Sequence, residues 1–345
     1  MRWITFLNGQ PACSGLPWVA ENLPDLWRLP QRVASSLPDG VRRQMRFPAG
    51  ARLRLRSNTS ELRFRVRRLP DGPVPGLDVY VDGRFWGTVT APGNAESEVV
   101  CFADASREPK EVTVYLPIRH ELQILAFGID GDAEYGKPES FAQDRPFVLY
   151  GSSVAQGVGS TRPGMSYAAI LSRALDIDQI NLGFGGAGKA EPDVVALVAQ
   201  VEACCYLLDL GKSYGCQSAA AYTAMLIALR QAHPPTPIVC ITPIFSSREL
   251  YSRGYVDLSD HTRTVVRHAV AERLAQGDGL IFLVEGEALL SPSDSDGLAG
   301  DGVHPNDLGH SLIAERLRPT ITEALQETGR GAEPPAPSDA DRPRA

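Results

Sequence analysis

The hydrophobic period of this chain changes near residue 140, and that change limits what the chain can fold into more than any other feature. Before it, short runs alternate. ARLRLRS sets Leu53 and Leu55 against Arg52, Arg54 and Arg56, and ELRFRVR sets Leu62, Phe64 and Val66 against Arg63, Arg65 and Arg67. A period of two is that of half-buried strands. The SNTS between these runs reads as a turn, so the pair is expected to form a hairpin. LDVYVDGRFWGTV is expected to form a second one, with Asp82-Gly83 as its turn. EVVCFAD, EVTVYLP and LQILAFGID supply further strands, and the whole pattern predicts a β-sandwich. The arginine rows invite a polyanion site, but alternation in an Arg-rich chain is also how a solvated sheet face looks, and the solvated face is expected.

After a polar bridge, GDAEYGKPESFAQD, apolar runs of a few residues alternate with helical segments from PFVLY to HSLIAERLRPTITEAL. That order predicts a mostly parallel sheet covered on both faces. The expected division is a β-sandwich over 1–140, an α/β/α unit over 141–327, and a disordered tail over 328–345 rich in Pro, Ala and charge. The 345 residues are ample for two cores. A net charge of −7 argues against nucleic acid as a partner. No stretch approaches the roughly 18–20 apolar residues of a membrane span. MRWITFLNGQPACSG has no long apolar run before a small-residue cleavage site, so a cytoplasmic setting is expected. The six cysteines form no C-x-x-C pair and read as reduced packing residues. No cluster has metal-ligand spacing, and neither metal nor cofactor is expected.

In a doubly wound sheet, ligands bind beyond the carboxyl ends of the strands. The segments there are Gly151-Ser152-Ser153, Gly183-Phe184-Gly185-Gly186-Ala187-Gly188, Gly211-Lys212-Ser213-Tyr214, and Asp301-Gly302-Val303-His304-Pro305-Asn306. Three readings compete. Gly183-x-Gly185-x-x-Gly188, with Asp209 about 20 residues on, has the spacing of a dinucleotide site, but it follows the second strand of its unit and leaves Ser153, Asp301 and His304 without purpose. The GKS at 211–213 is no phosphate loop, since Tyr206 stands where that motif needs Gly. The second reading is acyl chemistry: a serine on a tight turn is a nucleophile only with a base in reach and a carboxylate to orient the base. Asp301 and His304, three residues apart in a Gly-containing loop, have a spacing that suits this. The third reading is structural: a Ser/Gly turn, and Asn306 as the cap of the last helix.

The order of these segments resembles that of the SGNH (GDSL-type) hydrolase superfamily over about 145–326. YGSSVAQG resembles the nucleophile block, with Ser153 at the serine position and Ser152 replacing the usual aspartate. NLGFGG resembles the block whose glycine amide donates to the oxyanion, which implies Gly186. DGVHPN resembles the last block and implies Asp301 and His304. In the third block, LDLGKSYG puts Ser213 where relatives carry an asparagine whose side chain completes the oxyanion hole, so Lys212 and Tyr214 become candidate substitute donors. GLDVYVDGRFWG at 76–87, with Gly76, Asp78, Val79 and Tyr80, resembles the N-terminal sandwich of one branch, marked by a Gly-x-Asp-Leu-Tyr motif.

The resemblance implies a flavodoxin-like α/β/α domain behind a jelly-roll-like sandwich. It implies a Ser153–His304–Asp301 triad acting through an acyl-enzyme on a small ester or thioester, such as an acylated sugar or a biosynthetic intermediate. Arg162 and Glu191, each just after a motif, are candidates for the pocket wall, the alternative being an ion pair or a turn contact. Acyl transfer or cyclisation would use the same acyl-enzyme. A binding protein with an impaired site is the reading that Ser213 keeps open. A homo-oligomer is compatible with all of these.

Overall fold

The computed structural model describes residues 1–6, 11–68, 76–91 and 96–330. The first half contains β1 (Arg2–Thr5), β2 (Ala12–Ser14), α1 (Val19–Asn22), α2 (Asp39–Gln44), β3 (Arg52–Ser57), β4 (Leu62–Arg68), β5 (Gly76–Val81), β6 (Arg84–Thr90), β7 (Glu96–Phe102), β8 (Lys110–Tyr115), β9 (Leu122–Ile129) and β10 (Tyr135–Gly136). These strands form two antiparallel sheets, ordered β1-β9-β4-β7 and β10-β3-β8-β5-β6, with β2 paired to β3. The period of two does what it predicts: Leu53, Leu55, Leu62, Phe64 and Val66 are all buried in one core between the sheets.

The expected hairpin of β3 with β4 does not form. β3 pairs with β8, whereas β4 pairs with β7 and β9. A hairpin would turn both apolar rows to the same side. Here they face each other across the core, and the link between them changes sheets. No residue of 57–60 takes the positive φ of a tight hairpin turn. Instead Asp130 Oδ2 accepts from Ser60 N–H at 2.6 Å and from Thr59 Oγ1 at 3.1 Å, and Lys110 Nζ donates to Thr59 O at 2.9 Å. The second hairpin forms as expected: β5 and β6 meet at Asp82 and Gly83, whose φ values of 48° and 73° are those of a type I′ turn.

The second half contains β11 (Phe147–Gly151), α3 (Ser153–Gln156), α4 (Tyr167–Leu175), β12 (Gln179–Gly183), α5 (Pro192–Val198), β13 (Cys205–Asp209), α6 (Ala219–Ala232), β14 (Ile238–Ile241), α7 (Arg253–Ala275), β15 (Ile281–Val284), α8 (Gly286–Leu289) and α9 (Asp307–Arg330). Its strands form a parallel sheet in the order β12-β11-β13-β14-β15, the flavodoxin-like order. Alternate residues of β11 enter different cores: Val148 and Tyr150 on one face, Phe147 and Leu149 on the other. The first three residues of the expected tail continue α9 to Arg330, and the rest lies outside the described residues. The six thiols are free, with Cys101, Cys205 and Cys240 buried and Cys216 exposed. No helix among the described residues is long and apolar enough to cross a membrane.

Buried charge joins the halves. Arg65 and Arg67 are exposed on a solvated sheet face, as expected, and pair there with Glu98 and Glu96, but Arg52 departs from that reading. It is 1% exposed and pairs with Asp178, because the end of its row packs against the α/β unit. Asp78 of the Gly-x-Asp motif is fully buried and accepts from Thr88 Oγ1 at 2.7 Å, from Arg162 Nη1 at 2.8 Å and from Gly164 N–H at 2.8 Å. Tyr80 Oη accepts from Arg162 Nη1 at 3.1 Å. The motif thus clamps the sandwich to the segment before α4. Removing one partner of a buried charge pair strands the other, so Asp78→Ala is expected to lower unfolding free energy by about 3 kcal/mol in urea titrations. A loss below about 1 kcal/mol would show that the clamp contributes little.

Candidate functional site

Four loops converge at the carboxyl ends of β11, β12 and β13. Beyond β11, Ser152 N–H donates to Asp209 O at 3.1 Å, and the chain turns at once into the single-turn helix α3. Ser153 opens that helix, so its N–H has no carbonyl one turn earlier to bond. Its Oγ lies 2.9 Å from His304 Nε2, and His304 Nδ1 lies 2.6 Å from Asp301 Oδ2. The other carboxylate oxygen, Asp301 Oδ1, accepts from the N–H groups of Val303 and His304 at 2.9 and 3.0 Å. Burial pushes the Asp301 carboxyl up, but the bonds from the His304 ring, His304 N–H and Val303 N–H outweigh it and hold the pKa at about 2. An ionised Asp301 sets His304 as the Nδ1–H tautomer, which leaves Nε2 free to take the serine proton. Asn306 Oδ1 also accepts from Gly309 N–H at 3.1 Å, so the same loop caps α9 while it presents His304.

Ser153 and His304 border a cleft of about 400 Å³. Gly186 and Ser213 line it with Ser153 and His304, and from the first half of the chain Gln44 and Arg119 reach it as well. Gly186, after β12, is exposed there. Lys212 lines the cleft too, but its Nζ is committed to Glu249 Oε1 at 3.0 Å and to Ile244 O. Tyr214 is not brought to the cleft: it is buried against Tyr222, and its hydroxyl donates to Ser218 O at 2.6 Å. Arg162 belongs to the Asp78 clamp. Glu191 Oε2 accepts from Tyr150 Oη at 3.0 Å and from Lys189 N–H at 2.6 Å, a turn contact. Of the three candidates in the third block, Ser213 is the one whose side chain has no hydrogen bond among the described residues.

The glycines that imitate a dinucleotide loop have a packing role. A Cβ on Gly183 would lie 2.3 Å from Gln156 N, and one on Gly188, whose φ is +72°, would lie 2.0 Å from Gly151 O. Asp209, the acid that reading needs for a ribose, is buried and takes the Tyr167 hydroxyl at 2.9 Å. Burial pushes its carboxyl up to about 6, against the opposing pull of Tyr167 and Lys212. Among the described residues no group of three His, Cys, Asp or Glu side chains is placed to hold a metal.

Residues 144–322 match the model of the GDSL-like lipase/acylhydrolase family, more than half of the chain. The chain belongs to that family. Residues 1–135 match the N-terminus of SGNH-hydrolase-type esterases. Among solved structures, a GDSL-like lipase of Bacteroides ovatus is similar at 26% identity and a TM-score of 0.82, over 94% of this chain and 98% of that one. The salicylyl-acyltransferase of a tetracycline biosynthetic pathway is similar at 23% identity and a TM-score of 0.81, over 94% and 97% of the two chains. An acetyl xylan esterase from the rumen bacterium Butyrivibrio proteoclasticus shares the fold at 14% identity and a TM-score of 0.65, over 94% and 100%. No curated protein matches the chain significantly in sequence.

In this GDSL-like chain two supports of the site escape sequence reasoning. Gln156 is 1% exposed, its Oε1 accepts from Gly185 N–H at 2.7 Å, and its Nε2 donates to Ile118 O at 3.0 Å. It therefore ties the helix carrying Ser153 to the Gly186 loop and to the sandwich. Its position three residues after Ser153, on the same helical turn, is the signal that could have found it. Arg28 is fully buried and donates to the carbonyls of Asn181 and Gly183 at the end of β12. No local pattern marks it. Gln156→Ala is expected to cost about 1–3 kcal/mol and to speed amide hydrogen exchange across 183–188, read by mass spectrometry. Unchanged exchange in that loop would show that the Gln156 bond does not hold it.

Proposed function

We propose that this GDSL-like chain is a serine acyl hydrolase or acyltransferase acting on a small ester or thioester. The observation that carries the reading is the relay from Ser153 Oγ through His304 to Asp301, at 2.9 and 2.6 Å. In this reading Ser153 Oγ attacks the carbonyl carbon while its proton passes to His304 Nε2. Asp301 keeps the imidazole in the useful tautomer and stabilises the imidazolium. The N–H groups of Ser153 and Gly186, with the Ser213 hydroxyl, receive the oxyanion. Collapse of the tetrahedral intermediate expels the alcohol or thiol, which takes the proton from His304. Water or a second alcohol then attacks the acyl-Ser153 ester with His304 again as base, giving hydrolysis or transfer. A cleft of about 400 Å³ suits a compact acyl ester such as an acylated sugar or a biosynthetic intermediate.

Treatment with an active-site serine phosphonate, followed by mass spectrometry, is expected to label Ser153 in the parent protein and neither Ser153→Ala nor His304→Ala. A label elsewhere, or one indifferent to His304, would sink the assignment. A hydroxyl is a shorter and less well aimed donor than an amide, and one oxyanion donor is typically worth ~10²–10³ in rate. Ser213→Asn is therefore expected to raise kcat on a 4-nitrophenyl ester by about tenfold or more. A kcat that falls would mean that the hydroxyl, and not an amide, is the donor this site needs.

A further inference from the structure

The first half of the chain brings to the cleft a cation that has no counter-charge among the described residues. Arg119 stands in the loop between β8 and β9. It lines both the cleft at Ser153 and an adjoining hollow of about 220 Å³ walled by Pro117, His120 and the segment 157–163. The loop is anchored on both sides of it. Ile118 O accepts from Gln156 Nε2 at 3.0 Å, and Glu121 accepts from Trp27 Nε1 at 2.9 Å and pairs with Arg46 at 3.0 Å. The Arg119 side chain itself is exposed and has no hydrogen bond or ion pair among the described residues.

The balance of charge around the two hollows is positive. Of the other cations lining them, Lys212 is paired with Glu249 and Arg162 with Asp78. Among the described residues the one carboxylate lining either is Asp209, which is buried under the Tyr167 hydroxyl. His120 in the second hollow has its pKa lowered, first by burial and then by Arg68 and Arg119, and an imidazole, neutral or cationic, is no counter-charge for a guanidinium. A guanidinium presents a planar fork of donors that matches a carboxylate or phosphate, and in a partly enclosed cleft its field is screened less than on an open surface.

We propose that Arg119 is a specificity residue that receives an anionic group, carboxylate or phosphate, carried by the ester that acylates Ser153. The proposal rests on the reading of Ser153 as the nucleophile. It assigns the loop between β8 and β9 a part in substrate choice and makes charged esters the substrate class.

The test compares 4-nitrophenyl hydrogen glutarate with its neutral methyl ester on the full chain. At low ionic strength the charged ester is expected to have the higher kcat/KM by about fivefold, through KM, and high salt is expected to erase the preference. Arg119→Gln is expected to bring the ratio of the two kcat/KM values to about one, with Arg119→Lys between the two. Inhibition by glutarate against inhibition by inorganic phosphate separates a carboxylate subsite from a phosphate subsite. A ratio that Arg119→Gln leaves unchanged overturns the proposal. Calorimetric binding of both esters to Ser153→Ala, with and without Arg119→Gln, needs no turnover. Arg119-dependent binding of the charged ester without turnover by the parent protein would keep the anion subsite and remove the acyl-transfer reading. Turnover of both esters without Arg119-dependent discrimination would do the reverse, and neither binding nor turnover would remove both.

Discussion

The guanidinium of Arg28 is fully buried, and its hydrogen bonds go to backbone carbonyls from both halves of the chain. It donates to Gln44 O and Phe47 O at 2.7 Å each, to Asn181 O at 3.1 Å and to Gly183 O, and it lies 4.7 Å from the centre of the Phe184 ring. Burial lowers its pKa to about 9, which still leaves it charged at neutral pH. Desolvating a cation costs several kcal/mol, so the site is tolerable only while all these carbonyls converge on it. The end of β12, and with it the Gly186 loop, is therefore set in place by a residue from the other half of the molecule.

Arg52–Asp178 and Arg162–Asp78 repeat the same device elsewhere along the junction. Together these contacts make the sandwich a structural part of the site. Through Ile118 O it accepts the bond that holds Gln156, and Gln156 in turn holds Gly185. Through Gln44 and Arg119 it lines the cleft itself. The chemistry proposed at Ser153 would need donors placed to within a fraction of an ångström, and buried polar contacts supply a directional constraint that apolar packing alone does not.

The parts legible in the sequence were those with a short-range physical cause. Asp301 and His304 lie three residues apart, so one loop conformation brings carboxylate and imidazole together. Asp82-Gly83 tolerates positive φ, so its hairpin follows. The β3–β4 hairpin was misread because a period of two tells which side chains face inward and not which strand supplies the hydrogen bonds. Arg162, Glu191 and Tyr214 sit next to motif residues in the chain, yet face away from the cleft. On a tight loop, neighbours in sequence project in different directions. Asp78, Tyr150 and Ser218 O, which hold those three side chains, are set by packing at longer range.

By itself the sequence determined the two architectures, their order along the chain, the loop that pairs Asp301 with His304, and the glycines that let the strand ends approach. Periodicity and local backbone preference are properties of neighbouring residues, and they survive in the sequence. Only the tertiary structure decided that Ser153 meets His304 across 151 positions of chain, that Arg28 and Gln156 support the Gly186 loop, and that Arg119 reaches the cleft with no partner among the described residues. Those facts depend on which surfaces the two units bury against each other, and burial between distant segments leaves no period to read.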